Sequence, residues 1–160
     1  MQANFGVRHQ LRIAGLPVGL ELREGTFRGQ DAGSIIILVA TDAPLLPHQL
    51  ERLARRAAMG LARTGSVAGN GSGDLFLAFS TANAQAGEAK APVAVDMLPN
   101  DRMGSLFEAT VGATEEAVVN ALVAGRTMTG YKGHTVKGLP HDRVVEILRW
   151  HGRLQAPPGR

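Results

Sequence analysis

The chain contains no cysteine, so disulfides, a thiolate nucleophile and cysteine-ligated zinc are excluded. Aromatic residues are scarce: with one Trp, one Tyr and five Phe, the interior must be filled by aliphatic side chains and alanine. Long apolar runs are also missing. The longest, Ile35–Ala40, has six residues, against roughly 20 for a membrane-spanning helix. Residues 1–20 mix Arg8, His9 and Arg12 with apolar residues and lack the hydrophobic centre of a signal peptide. Neither sign of charge dominates, since 17 basic and 14 acidic residues leave +3. The basic residues are scattered, so a nucleic-acid-binding stripe is not indicated. What remains is a 160-residue chain, 44% hydrophobic and 19% charged, which suits one soluble globular domain with a core of its own.

Residues 1–20 alternate apolar and polar positions around a turn at Gly15-Leu16-Pro17, which predicts a hairpin or two paired strands. Residues 21–33 have no period and read as an exposed loop. Ser34–Ala40 is β-branched and apolar on both faces, the pattern of a buried central strand. A helix follows from Pro47 or His48 to about Arg63, with Leu50, Leu53, Ala54, Ala57, Leu61 and Ala62 on one stripe. Gly60 is its weak point and Gly65 its stop. A glycine-rich loop over 65–74 leads into a second buried strand, Leu75–Ser80. Residues 84–92 read as a surface loop and Val93–Leu98 as a shorter strand. Ser105–Ala124 reads as a long helix with Leu106, Ala109 or Val111, Ala113, Ala117, Ala121 and Leu122 near one face. Another glycine-rich loop over 125–140 precedes a last helix, Asp142–Trp150, and a disordered tail. The order of elements suggests an α/β layered domain.

Three places invite a chemical reading. The loop 65–74 is rich in glycine, but a phosphate cradle needs strand, loop, then helix N-terminus; here the order is helix, loop, strand, and no GK[ST] follows. His134, His141 and Asp142 share one stretch without a third ligand at helical spacing, so surface or capping roles suit them better than a metal site. The junction Gly33-Ser34 places a hydroxyl on the first residue of the most hydrophobic strand, after a polar loop. Local sequence alone favours a plain strand start, with Gly33 giving the turn its freedom, over a nucleophile.

Longer stretches carry more. GSIIILVATDAPLLPHQLERLARRAAMGLARTGS and SGDLFLAFSTAN, with QANFG upstream and VDMLPND, LFEATVGATEEAVVNAL, TMTG, GHT and LPHDRV downstream, resemble the L-aminopeptidase/D-Ala-esterase-amidase and β-peptidyl aminopeptidase family over nearly all of residues 2–148. The resemblance reverses the preference at Ser34. It implies a four-layer α-β-β-α sandwich, shared with ornithine acetyltransferases, and a precursor that cuts its own chain before a serine. That serine maps onto Ser34, with the cut between Gly33 and Ser34. The family's second active-site serine maps onto Ser72, its neighbouring carboxylate onto Asp74 (Glu in some members) and its oxyanion-hole asparagine onto Asn4. Acyl transfer, as in the acetyltransferases, fits less well because those enzymes use a threonine nucleophile.

The resemblance also implies small peptide, amide or ester substrates, no cofactor and no metal. It makes residues 1–33 the C-terminal piece of a first subunit with its linker, 34–150 a second subunit and 151–160 a tail, with several such pairs assembling as a homo-oligomer. The family carries a long segment ahead of the position of Met1, including an active-site tyrosine. The expectation is therefore the C-terminal part of the sandwich, with an apolar sheet surface exposed. An inactive fragment or a non-catalytic, partner-binding scaffold of the same fold is the alternative. A cytoplasmic location is expected, or a periplasmic one if a signal precedes Met1.

Overall fold

The structure, a computed structural model, describes residues 1–4, 6–22 and 33–154. A three-stranded sheet carries a layer of helices on one face. Its strands are β1 (Gln2–Asn4), β2 (Ser34–Thr41) and β3 (Leu75–Ser80), in that order, with β1 antiparallel and β3 parallel to β2. The parallel pair is joined by α2 (Pro47–Arg63), and α3 (Gly104–Ala124) packs beside α2. A short helix, α1 (Val18–Glu21), lies against α4 (His141–Trp150), and a small ribbon pairs β4 (Met128–Thr129) with β5 (Thr135–Val136). Among the described residues no helix is long and apolar enough to cross a membrane.

α2 forms where its stripe predicts. Leu53, Ala54, Ala57 and Leu61 are buried, and each large aliphatic side chain taken fully from water contributes roughly 1.5–3 kcal/mol. Gln49 is buried as well. Its side chain accepts from the Leu46 N–H (3.1 Å) and donates to the Leu98 carbonyl (2.7 Å) and Asn100 Oδ1 (3.0 Å), so its burial leaves no polar group unpaired. Gly60, marked as a weakness by propensity, sits where α2 crosses α3: a Cβ there would lie 2.5 Å from the Val111 carbonyl oxygen and 2.6 Å from Thr114 Cβ. Gly65 adopts φ +102° just after α2, and its missing side chain admits the Gln10 carbonyl.

Several expectations are corrected. β2 and β3 are not buried on both faces. Ile35 and Ile37 are buried under Ala57, Leu61 and Val118, but Leu38, Leu75 and Leu77 keep 53–58% of their surface exposed, because the helices cover one face and nothing described covers the other. The hairpin over residues 1–20 does not form. β1 pairs with β2 instead, and a tight turn at Ala14-Gly15 bridges Ile13 to Leu16 before α1 begins. Val93–Leu98 is not a strand. Asn83 occupies the backbone of Asp96 with two bonds of 3.0 Å, and the Leu98 N–H donates to the Pro44 carbonyl. On α3 the buried face is Thr110, Thr114 and Val118, with Ala109, Ala113 and Ala121 turned outward. The loop over 125–140 contains the β4–β5 ribbon. Of the loop expected at 21–33, residues 23–32 lie outside the described residues. Of the expected tail, residues 151–153 continue from α4 with hydrogen bonds to Ile147, Leu148 and Arg149, and residues 155–160 lie outside the description.

Candidate active site

The arrangement begins with strand pairing. The antiparallel register sets Asn4 directly opposite Ser34, so the two side chains are cross-strand neighbours on one face of the sheet. Side chains alternate along a strand, and Ser34 therefore shares the uncovered face with Ile36 and Leu38. On the other side of β2, the parallel register with β3 begins at Ile36 opposite Leu75. It carries the end of the glycine-rich loop, Ser72-Gly73-Asp74, alongside the start of β2.

Two hydrogen bonds bind that tripeptide to Ser34 and its neighbour across 39 residues of sequence. The Gly73 N–H donates to Ser34 Oγ (3.1 Å), and the Ile35 N–H donates to Asp74 Oδ1 (3.3 Å). The Ser72 hydroxyl donates to the same carboxylate oxygen at 2.6 Å, a charge-assisted contact. The result is a closed ring of bonded and hydrogen-bonded atoms through residues 34, 35, 72, 73 and 74. It fixes the Ser34 side chain and the peptide that follows it. Ser34, Ser72 and Asp74 are half-buried, while Asn4 is exposed.

All four residues singled out from the sequence are thus brought to one end of the sheet, and Gly33 precedes Ser34 directly. Gly73 belongs with them and was not singled out. A Cβ there would stand 3.1 Å from Ser34 Oγ, so a side chain at 73 crowds the hydroxyl. Its place between Ser72 and Asp74 is the signal that could have found it. A cavity of about 490 Å³ opens beside Asn4, with Val7, Gln10, Ser66, Val118 and Leu122 among its walls, but Ser34, Ser72 and Asp74 do not line it. His134 lies at the turn of the β4–β5 ribbon and His141 opens α4. Among the described residues no group of three His, Asp or Glu side chains is placed to hold a metal ion.

The ring has an energetic consequence. Asp74→Ala removes one acceptor from two donors in a half-buried place, and we expect it to lower the unfolding free energy by about 1–2 kcal/mol. A urea titration followed by circular dichroism measures this. An unchanged midpoint means that water already satisfies those donors.

Comparison with known proteins places the chain in a family. The chain is 47% identical to a beta-peptidyl aminopeptidase of Sphingosinicella microcystinivorans, over 98% of this chain and 43% of the relative. Among solved structures it superposes on the L-aminopeptidase D-Ala-esterase/amidase of Ochrobactrum anthropi, described as a variant of the Ntn hydrolase fold, with a TM-score of 0.84 and 41% identity, over 95% of this chain and 42% of that one. A beta-aminopeptidase of Burkholderia sp. matches with a TM-score of 0.77 and 45% identity, over 98% and 44%. The chain thus spans about two fifths of the length of these relatives, and its single sheet with one helix layer is part of their fold. The model of peptidase family S58 matches residues 1–136, most of the chain, and the chain belongs to that family.

Proposed function

We propose that this chain carries the nucleophile of a self-processing serine aminopeptidase, which releases N-terminal amino acids from small peptides, amides or esters. The observation that carries this reading is the hydroxyl of Ser34. It stands on the first residue of a rigid strand, held by Gly73, with the Ser72–Asp74 pair on one side and Asn4 on the other.

The chemistry runs in two stages. First, Ser34 Oγ attacks the Gly33 carbonyl carbon. The C–N bond breaks as the C–O bond forms, the hydroxyl proton passes to the departing nitrogen, and water hydrolyses the ester. The products are a Gly33 carboxylate and a free α-amine on Ser34. Residues 1–33 and 34–160 are then separate chains, 34–150 forming the second subunit and 151–160 its tail. Second, the new amine serves as base. An α-amine has an ordinary pKa of about 7.7–8.0, close to working pH, and covalent geometry holds it beside its own hydroxyl. Oγ attacks the substrate acyl carbon, the amine takes its proton and passes it to the leaving group, and water releases the acyl product. Asp74 binds the N–H of Ile35, one residue from that amine, and in this reading the Ser72–Asp74 pair orients it.

Asn4 donates to the oxyanion in this reading. Asn4→Ala is expected to lower kcat by about 10²–10³-fold. Because Asn4 is exposed, the melting temperature should stay within about 2 °C. A loss of activity that tracks a loss of fold removes Asn4 from the mechanism.

The names of the relatives refer to β-peptides and to L- and D-amino-acid derivatives, and the substrate is proposed to lie within that range. The uncovered face of the sheet, with Ser34 on it, is the surface on which the remainder of the full-length protein is proposed to pack. That same open face supports a second reading, in which the isolated chain is inactive until it is covered. N-terminal sequencing of the purified full-length protein tests the proposal: a chain beginning Ser-Ile-Ile-Ile, together with hydrolysis of amino-acid amides, supports it. An unbroken chain without hydrolysis defeats it.

A further inference from the structure

The proposed cut at Gly33 raises the question of what retains the residues before it. While the chain is intact, the eleven residues 23–33 tether Leu22 to Ser34. A short tether keeps its ends at an effective concentration on the order of millimolar. Once it is cut, non-covalent contacts alone must hold Asn4 opposite Ser34. β1 contributes only three residues, all exposed, and a strand contact of that size is marginal. Backbone contacts add a little: the Arg12 N–H donates to the Thr64 carbonyl at 2.9 Å.

The substantial burial lies elsewhere. Val18 has no exposed surface, and with Ile13 and Leu22 it packs against Val144 and Ile147 of α4. At the rim, Glu21 Oε1 lies 3.6 Å from His151 Nε2, just past the end of α4. Arg8 donates to the Leu22 carbonyl at 2.6 Å, which fixes the end of α1 against the turn before it. α4 lies beyond residue 136, where the family match ends.

We propose that α4 is a clamp: its Val144–Ile147 face holds residues 11–22 after the chain is opened, and so keeps Asn4 in register with Ser34. The proposal rests on the self-processing reading for why the chain opens, and the test separates the two. The 160-residue chain carrying Ser34→Ala is given a protease recognition sequence within residues 23–32, folded, and cut with that protease. Release of the N-terminal piece is followed by size-exclusion chromatography and native mass spectrometry. With α4 unaltered the piece is expected to stay bound. With Val144→Ala and Ile147→Ala together it should leave about tenfold faster or more, since interface changes act mostly on dissociation. Ile147→Val, which removes one methyl group and leaves the fold intact, should give a smaller increase of about two- to fivefold. Uncut variants are compared by circular dichroism to confirm an unchanged fold. Equal release rates for the unaltered protein and Ile147→Val overturn the clamp, as does immediate loss of the piece when α4 is unaltered. Because the cut is made by an added protease, failure of self-cleavage leaves this outcome unaffected.

Discussion

Ser34→Ala in the full-length protein is expected to run as one unbroken chain and to lose hydrolysis by on the order of 10⁴–10⁶-fold, the range seen when a serine nucleophile is removed. Both effects come from one atom. In the proposed mechanism, without Oγ nothing attacks the Gly33 carbonyl, and the amine proposed as base is not released. The fold should be nearly untouched: the Gly73 N–H loses an acceptor in an exposed position, worth about 1 kcal/mol at most. Ser34→Thr keeps a hydroxyl at the same distance from the backbone and should retain part of the splitting. The readouts are the intact mass and the rate on an amino-acid amide. A Ser34→Ala protein that still splits between Gly33 and residue 34 would sink the proposed mechanism, because another group would then be breaking that bond.

Gly60→Ala tests the packing, and here two effects of opposite sign compete. Helix propensity favours alanine by about 1 kcal/mol in an exposed helix interior. At this crossing, however, the added carbon would lie 2.5 Å from the Val111 carbonyl oxygen and 2.6 Å from Thr114 Cβ. A backbone oxygen cannot rotate away, so α2 and α3 must separate over the stretch that buries Leu61 and Val118. Overpacking of this kind costs about 1–3 kcal/mol or more. The steric effect wins, and we expect a net loss of about 2 kcal/mol, or roughly 4–8 °C in Tm for a domain of this size. Gly112→Ala is the control. Gly112 lies inside α3 with nothing within 4 Å of its would-be Cβ, so the same substitution should be neutral or raise stability by up to about 1 kcal/mol. If Gly60→Ala also raises Tm, the close approach of the two helices is wrong.

The contrast between Gly60 and Gly112 shows how much of the fold can be read along the chain. The apolar period of α2, the β-branched run of β2 and the aromatic-aliphatic run of β3 each place an element, because period and side-chain shape are local properties. Which face of each element is covered is not local. Ile36 and Ile37 are the same residue type one position apart, yet the second is buried under α2 and α3 while the first shares the open face. The outward alanines and inward threonines of α3 follow a similar rule. Thr110 returns its hydroxyl to the Leu106 carbonyl at 2.7 Å, so a polar residue can pack against α2 without an unpaired group.

The site divides in the same way. Residue types and short spacings were legible: a serine after a glycine at a strand start, and a serine and an aspartate two residues apart. Composition and local pattern alone determined that this is a cysteine-free α/β chain with a hydroxyl at the head of its most apolar strand. Only the tertiary structure decided that Asn4 stands opposite Ser34 and that Asp74 binds the next residue from the other side. This arrangement depends on strand register, one antiparallel and one parallel, and register is fixed by the burial of Ile35 and Ile37 beneath the helices, a constraint that exists only once the layers have packed.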